Sequence, residues 1–226
     1  MVAIFVVLTI LICVSIDAFL EKRRVLQTTG QKVPVLKETW ELPQQTYLFP
    51  GHTWAELNNA PSYGVRVGID ALFSLMLGKM DRLYTLPVGT RLMQGEPMLT
   101  VEKNGRQFTL SAPISGEIEA QNANVISNPD TLQKSAYGDS WIYKIHPSLF
   151  LSEDRRVLQT GQRAHLWLES EYRRLANWLT TGHTLRTELA MQDGGLPAPG
   201  VLTHLNETEW ANFQAQFLNQ HHSPAR

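Results

Sequence analysis

The chain begins with one long apolar segment and then changes to short apolar runs separated by turn residues. Residues 2–20 are almost wholly apolar. As a helix rising about 1.5 Å per residue, they would span the roughly 30 Å hydrocarbon core of a bilayer. The one charged residue among them is Asp17, near the C-terminal end. The pattern predicts a transmembrane anchor over residues 1–21, with the Asp17 carboxyl reaching the headgroups or binding a partner chain.

Basic residues follow this anchor and do not precede it. Lys22, Arg23 and Arg24 follow the apolar run after Glu21, whereas only Met1 comes before it. The positive-inside rule then places the N-terminus outside and the rest of the chain in the cytoplasm. A cleaved signal peptide is the alternative, but it needs a positively charged region ahead of the apolar run. We therefore predict a single-pass protein of the cell inner (plasma) membrane.

The middle of the chain, residues 47–148, has the pattern of a small β domain, and a polar linker at 22–46 precedes it. Residues 65–69 alternate as a half-buried strand should. Asp70 then suits a helix N-cap, and Gly78 suits the end of that helix.

A hairpin is predicted over residues 98–111, because Asn104-Gly105 separates two strand-like runs. Both central residues of a type I′ turn have positive φ, which Asn and Gly adopt most readily. Gly105 takes the second of these positions.

Residues 149–226 are predicted to form a helical C-terminal extension. Apolar residues recur at helical spacing over 161–191 and again from about 207 to 219, where Asn206 suits the N-cap of the second helix. With the barrel complete by about residue 148, removal of 201–226 is expected to leave the β domain folded.

The second of these helices carries an aromatic stripe, formed by Trp210, Phe213 and Phe217. Such a stripe either packs back onto the β domain as core or binds a partner protein. The sequence leaves both interpretations open. If the stripe is an interface, the partner-binding residues are these three together with Asp17.

Composition excludes several classes of function. The net charge of −1 gives no indication of nucleic-acid binding. Cys13 is the only cysteine and lies in the apolar run, so neither a disulfide framework nor a cysteine metal site can form. The histidines are scattered without ligand spacing, which predicts no metal site. No nucleophile motif or paired-carboxylate site is present either, so we predict that the protein is not an enzyme.

The β region contains an ordered series of short motifs: His52-Thr53-Trp54, Val67-Gly68-Ile69, Leu86-Pro87-Val88-Gly89, Gly95-Glu96-Pro97, Ala112-Pro113-Ile114-Ser115-Gly116-Glu117, Asn128-Pro129 and Tyr137-Gly138-Asp139-Ser140-Trp141. In this order they resemble the H protein of the glycine cleavage system, a relative of the lipoyl and biotinyl carrier domains, which has His-Glu-Trp at the first motif. The resemblance covers about residues 47–148. It implies a mainly β fold, a flattened β-barrel or sandwich of two short sheets, to which the transmembrane helix and C-terminal α-helices are added.

The same resemblance locates the position where a lipoyl group would be attached. The family's modified lysine lies in a Glu-Ser-Val-Lys-Ala hairpin, upstream of Ser-Pro-Val-Ser-Gly. Glu102 and Pro113 keep the family separation, which puts Gly105 at the attachment point. Lys103 lies two residues earlier and is the weak alternative, although a solvated charge at a strand end is the favoured interpretation. We therefore predict no cofactor, with lipoate on Lys103 as the alternative.

These observations predict a non-catalytic accessory or scaffold subunit. It would cap an integral-membrane complex, respiratory or photosynthetic for example, on the cytoplasmic side, with that complex and membrane lipid as partners. The first alternative is a membrane-tethered lipoyl carrier that uses Lys103 to shuttle aminomethyl, acyl or sulfur groups. The second is a stand-alone adaptor that binds lipoylating or glycine-cleavage enzymes.

Overall fold

The computed structural model describes residues 42–57, 64–148, 151–181 and 199–218. All of them belong to one compact unit, Lys37–Arg226. The predicted anchor, with Asp17, lies outside these described residues. Among the described residues, none of the helices combines the length and the apolar character that crossing a bilayer requires.

The described strands are short and all pair antiparallel. They are β1 (Thr46–Phe49), β2 (Thr53–Glu56), β3 (Val65–Ile69), β4 (Arg82–Thr85), β5 (Arg91–Leu92), β6 (Pro97–Lys103), β7 (Arg106–Ser111), β8 (Gly116–Gln121), β9 (Tyr143–Pro147) and β10 (Gln159–Thr160). A seven-stranded sheet has the order β10-β1-β2-β3-β9-β8-β5, and a three-stranded sheet has the order β4-β6-β7. The predicted mainly β domain is thus confirmed, as two sheets of unequal size.

Short helices connect the strands, and one 20-residue helix and a shorter one follow them. They are α1 (Ala71–Leu77), α2 (Ala123–Ser127), α3 (Thr131–Lys134), a 3₁₀ turn (Gly138–Ser140), α4 (Leu151–Asp154), α5 (Gly161–Thr180), a second 3₁₀ turn (Val201–His204), α6 (Glu207–Phe213) and a π-helical turn (Gln214–Leu218). C-terminal helices therefore follow the β domain, as predicted.

Two large side chains link the elements of the core. The indole nitrogen of Trp54 donates to the carbonyl oxygens of Ile69 (3.0 Å) and Ala136 (2.9 Å). The hydroxyl of Tyr143 accepts from the Leu86 N–H at 2.8 Å and donates to the Met98 carbonyl at 3.1 Å. Because Tyr143 lies on β9 and Met98 on β6, this hydroxyl connects the two sheets. Burial raises its pKa to about 12, so it stays a donor at any physiological pH.

Helix α1 begins and ends as the sequence predicts. The Asp70 carboxyl accepts a hydrogen bond from the Phe73 N–H at 2.7 Å. At the other end Gly78 has φ +68°, and its N–H donates to Ser74 O. A Cβ at Gly78 would lie 2.7 Å from the Cα of Gly200, so the backbones of α1 and the C-terminal chain meet here without room for a side chain.

The C-terminal helices differ from the prediction in their lengths. Helix α5 ends at Thr180, because Thr181 leaves helical geometry with φ −104° and ψ 101°. Residues 182–191 of the predicted helix lie outside the described residues. The second helix begins as predicted: Asn206 and Glu209 form a reciprocal capping box. After Phe213 it continues as the π-helical turn, which ends at Leu218.

Candidate functional site

The site to which the resemblance points is the tip of the β6–β7 hairpin. Lys103 pairs with Arg106, so the turn contains only Asn104 and Gly105. Their φ angles are +51° and +73°, both positive, as a type I′ turn requires. The predicted hairpin and its turn are confirmed.

Gly105 has no side chain to which a lipoyl group could be attached. A Cβ built there meets nothing within 4 Å, so the position is open to solvent but has no amine to bear an acyl group. The nearby Lys103 ammonium lies 3.2 Å from a carboxylate oxygen of Asp81, and the Lys103 side chain is only 15% exposed. Its amine is therefore paired with the Asp81 carboxylate.

The Asp81 carboxylate also binds the backbone of this turn. Its second carboxylate oxygen accepts the Asn104 N–H at 2.7 Å. That hydrogen bond, with the ion pair to Lys103, holds the pKa of Asp81 below its ordinary value. One exposed carboxylate thus fixes both the first turn residue and Lys103.

Substitution of Gly105 tests the turn. We expect Gly105→Val to lower the free energy of unfolding by about 1–2 kcal/mol, because a β-branched residue is strained at positive φ. Gly105→Asn is the matched control and should cost less, since asparagine tolerates this conformation and both side chains meet open space. Urea unfolding of the full chain measures both. An equal loss of unfolding free energy in the two variants would show that the positive φ angle of Gly105 is not the cause.

The C-terminal segment (residues 199–218) contacts the flank of the same hairpin. The Arg106 guanidinium donates to the Leu205 carbonyl and lies 5.1 Å from the centroid of the Trp210 ring. Trp210 in turn stacks on Phe108 of β7, with ring centroids 3.7 Å apart. We call this set the Arg106 contact: Arg106, Leu205, Trp210 and Phe108.

The aromatic stripe is core, which corrects the assignment of these residues to a partner. Trp210, Phe213 and Phe217 are 7%, 0% and 2% exposed. Phe213 packs against Phe73 of α1 and Phe108 of β7, with centroids 6.5 and 5.8 Å away. Helical periodicity identifies an apolar face, but here Phe73 and Phe108 supply a surface of the same chain that covers it.

A buried ion pair lies beneath helix α5, and sequence reasoning missed it. Nδ1 of His52 is 2.9 Å from a carboxylate oxygen of Asp70, with both side chains almost fully buried. Burial alone would lower the pKa of His52, but the charge and hydrogen bond of Asp70, together with Glu171, raise the pKa above its ordinary value. The ring of Trp167 lies 5.6 Å from that of His52. The sequence motif includes His52 but does not identify its partner, which is 18 positions away.

Thr53 and Ser115, both in family-like motifs, make buried hydrogen bonds to residues that are distant in the sequence. Thr53 stands where the family has glutamate; it is fully buried and donates to the Ser111 carbonyl at 3.0 Å. The backbone N–H and the hydroxyl of Ser115 both donate to the Asp154 carboxylate, at 2.6 and 3.1 Å. No local signal in the sequence joins residues this far apart.

Metal ligands are not gathered in the described ranges. Across residues 42–57, 64–148, 151–181 and 199–218, no group of three or more His, Cys, Asp or Glu side chains is placed to hold a metal ion. Asp17, the other predicted partner-binding residue, lies outside those ranges.

A comparison with protein families shows which family this chain belongs to. The glycine cleavage H-protein family model matches residues 47–171, which is more than half of the chain. The chain belongs to the glycine cleavage H-protein family. This family is of the lipoyl-carrier type, and the match confirms the resemblance noted in the sequence.

Individual H proteins match over most of their own length. Glycine cleavage system H protein 3 of Aquifex aeolicus is 28% identical over 144 residues, covering 60% of this chain and 88% of the relative. Glycine cleavage system H protein of Prochlorococcus marinus is 32% identical, covering 48% and 80%. The crystal structure of an H protein from Mycobacterium marinum is 25% identical, with a TM-score of 0.48, and covers 57% of this chain and 98% of that one.

Proposed function

We propose that this member of the H-protein family carries no lipoyl group and acts as a non-catalytic accessory subunit. The observation that supports this most directly is the hairpin tip. Gly105 stands where the family resemblance puts the attachment point, and the neighbouring Lys103 amine is paired with Asp81 at 3.2 Å. A lipoyl arm is an amide of a lysine amine, so the tip as built has no acceptor at the right place.

Its partner, in this proposal, is an integral-membrane complex, respiratory or photosynthetic for example. The apolar segment 2–20 would insert beside that complex, and Lys22, Arg23 and Arg24 would hold the folded domain on the cytoplasmic side. Asp17 supports a protein partner, because a carboxyl within an apolar segment is best tolerated when it is paired. Since the aromatic stripe is buried, attachment would depend on this N-terminal segment.

Mass and co-purification test the proposal together. The protein extracted from native membranes in mild detergent should have the intact mass of the unmodified chain and should migrate with a stoichiometric membrane partner. Asp17→Asn should weaken that association, whereas Ser15→Ala, a polar change in the same segment, should not. A protein that migrates without any partner would contradict the scaffold role.

Family membership supports one alternative, a membrane-tethered carrier with lipoate on Lys103. That arrangement requires the Lys103 ammonium to leave the Asp81 carboxylate, which is 41% exposed, so water can replace the amine there. A lipoyl adduct in the intact mass, absent from Lys103→Arg, would establish the carrier and overturn the main proposal. Arginine is the matched variant because it keeps the charge facing Asp81 but cannot form the lipoyl amide.

A further inference from the structure

The hairpin tip places a reactive pair of groups side by side. Asn104 is the only asparagine in the chain that precedes a glycine. Both turn residues are exposed, and nothing lies within 4 Å of the position of a Gly105 Cβ. The Asn104 side-chain amide makes no hydrogen bond to any described residue, and its backbone N–H alone is engaged, by Asp81.

The exposed tip leaves room for an intramolecular reaction between these two residues once the turn opens. The backbone nitrogen of Gly105 has no backbone hydrogen-bond partner among the described residues. Glycine has no side chain to crowd that nitrogen when the Asn104 Cγ approaches it. An intramolecular attack of this kind needs no second reactant to be positioned, which gives it a high effective concentration.

We propose that Asn104 is a site of spontaneous deamidation. The Gly105 nitrogen loses its proton to solvent base and bonds to the Asn104 Cγ; the bond from Cγ to the side-chain nitrogen breaks, and ammonia leaves. Water then opens the resulting succinimide. Opening at Cγ gives aspartate, and opening at the former backbone carbonyl gives isoaspartate, in which the main chain runs through Cβ.

Asp81 controls how readily this happens. The reaction requires the Asn104 backbone to rotate away from its turn geometry, and the Asp81 carboxylate holds the Asn104 N–H at 2.7 Å. Loss of Asp81 removes that restraint, so the tip opens more often. Asp81 is therefore a positioning residue for the modification, acting through the backbone of Asn104.

The products change the hairpin and its neighbour. Isoaspartate adds a backbone atom to a two-residue turn, which disturbs the pairing of Lys103 with Arg106. Arg106 is also the residue that binds Leu205 and Trp210, so the Arg106 contact weakens when its strand position shifts. Both products put a second carboxylate close to Asp81, which repels it.

Ageing of the purified full-length protein in detergent tests the proposal. Samples kept at physiological temperature in neutral and mildly alkaline buffer are digested, and each asparagine peptide is followed by mass spectrometry. An isoaspartyl methyltransferase with a labelled methyl donor reports isoaspartate directly. We expect Asn104 to convert before Asn124, an exposed asparagine that precedes valine. The conversion should be faster in the alkaline buffer.

Variants test the attacking nitrogen, the restraint by Asp81 and the effect of the products separately. Gly105→Ala should slow the conversion, because a methyl group then crowds the attacking nitrogen, and Asp81→Ala should accelerate it. Hydrogen exchange should rise in β7 and the C-terminal segment of the isoaspartyl fraction, and rise less in Asn104→Asp, which gains the charge without the extra backbone atom.

Conversion of Asn104 no faster than Asn124 in the folded protein would overturn the proposal. An unchanged rate in Asp81→Ala would overturn the role of Asp81. The test does not depend on whether Lys103 carries lipoate, because the peptide masses report the two modifications separately.

Discussion

Phe213→Ala should lower the free energy of unfolding of the full chain by about 3–5 kcal/mol, the usual range for removing a buried aromatic ring. Phe213 is fully buried. Its ring contacts those of Phe73, Phe108, Trp178 and Phe217, with centroids 5.0–6.5 Å away. Removing it leaves a cavity between the C-terminal segment, β7 and α5. Urea unfolding followed by near-UV circular dichroism measures the change.

The control for this prediction is Leu166→Ala on helix α5. Leu166 is 57% exposed, so its removal should change stability by no more than about 0.5 kcal/mol. Similar losses for both variants would contradict the assignment of Phe213 to the core. For the same reason we now expect removal of residues 201–226 to destabilise the β domain, in contrast to the expectation from sequence.

Asp70→Ala should be comparably severe, because one carboxylate has two buried roles. It caps α1 through the Phe73 N–H and pairs with His52 at 2.9 Å. An N-cap contributes about 0.5–2 kcal/mol, and breaking a buried ion pair by removing one partner costs about 3–5 kcal/mol. Nε2 of His52 has no hydrogen-bond partner among the described residues. Removal of Asp70 would therefore leave the imidazole with no hydrogen bond to any of them.

Asp70→Asn separates these roles through the pH dependence of stability. The pKa of His52 is raised above its unfolded value of 6.5 despite burial, by Asp70 first and then Glu171, against Arg174. Stability from the protonated imidazole is therefore fully present below the unfolded pKa. It is lost as pH rises through the folded pKa, at no more than about 1.4 kcal/mol per pH unit.

In Asp70→Asn this fall should disappear, because the asparagine keeps a cap acceptor without the charge. Equilibrium unfolding of both proteins across the neutral and mildly alkaline range measures the difference. The same slope in the variant would show that another group is responsible.

Features fixed by neighbouring residues were predictable from the sequence. Asn104-Gly105 specifies its turn because few residues adopt positive φ, and Asp70 and Asn206 specify helix starts because their side chains satisfy nearby N–H groups. The ordered family motifs also identified the β domain that the family match confirms.

Features that depend on distant partners were not predictable. His52 and Asp70 are 18 positions apart, and Ser115 and Asp154 are 39 apart. Periodicity showed that Trp210, Phe213 and Phe217 share a face, but an apolar face looks the same whether the chain itself or a partner covers it. The candidate site was located because the resemblance gave a register, and the pairing of Lys103 with Asp81 required the structure.

The pairing of β1 with β10 also determines when the larger sheet can close during synthesis. Tyr47 pairs with Thr160, and β10 closes the side of β1 that β2 leaves open. At the usual 5–20 residues per second, the ribosome needs roughly 6–23 s to pass from one residue to the other. During that interval β1 presents an unpaired edge, the feature through which nascent chains aggregate or recruit chaperones. Final closure of the sheet thus waits until most of the chain has been translated, so ribosome-bound chains stalled before residue 160 should remain sensitive to protease.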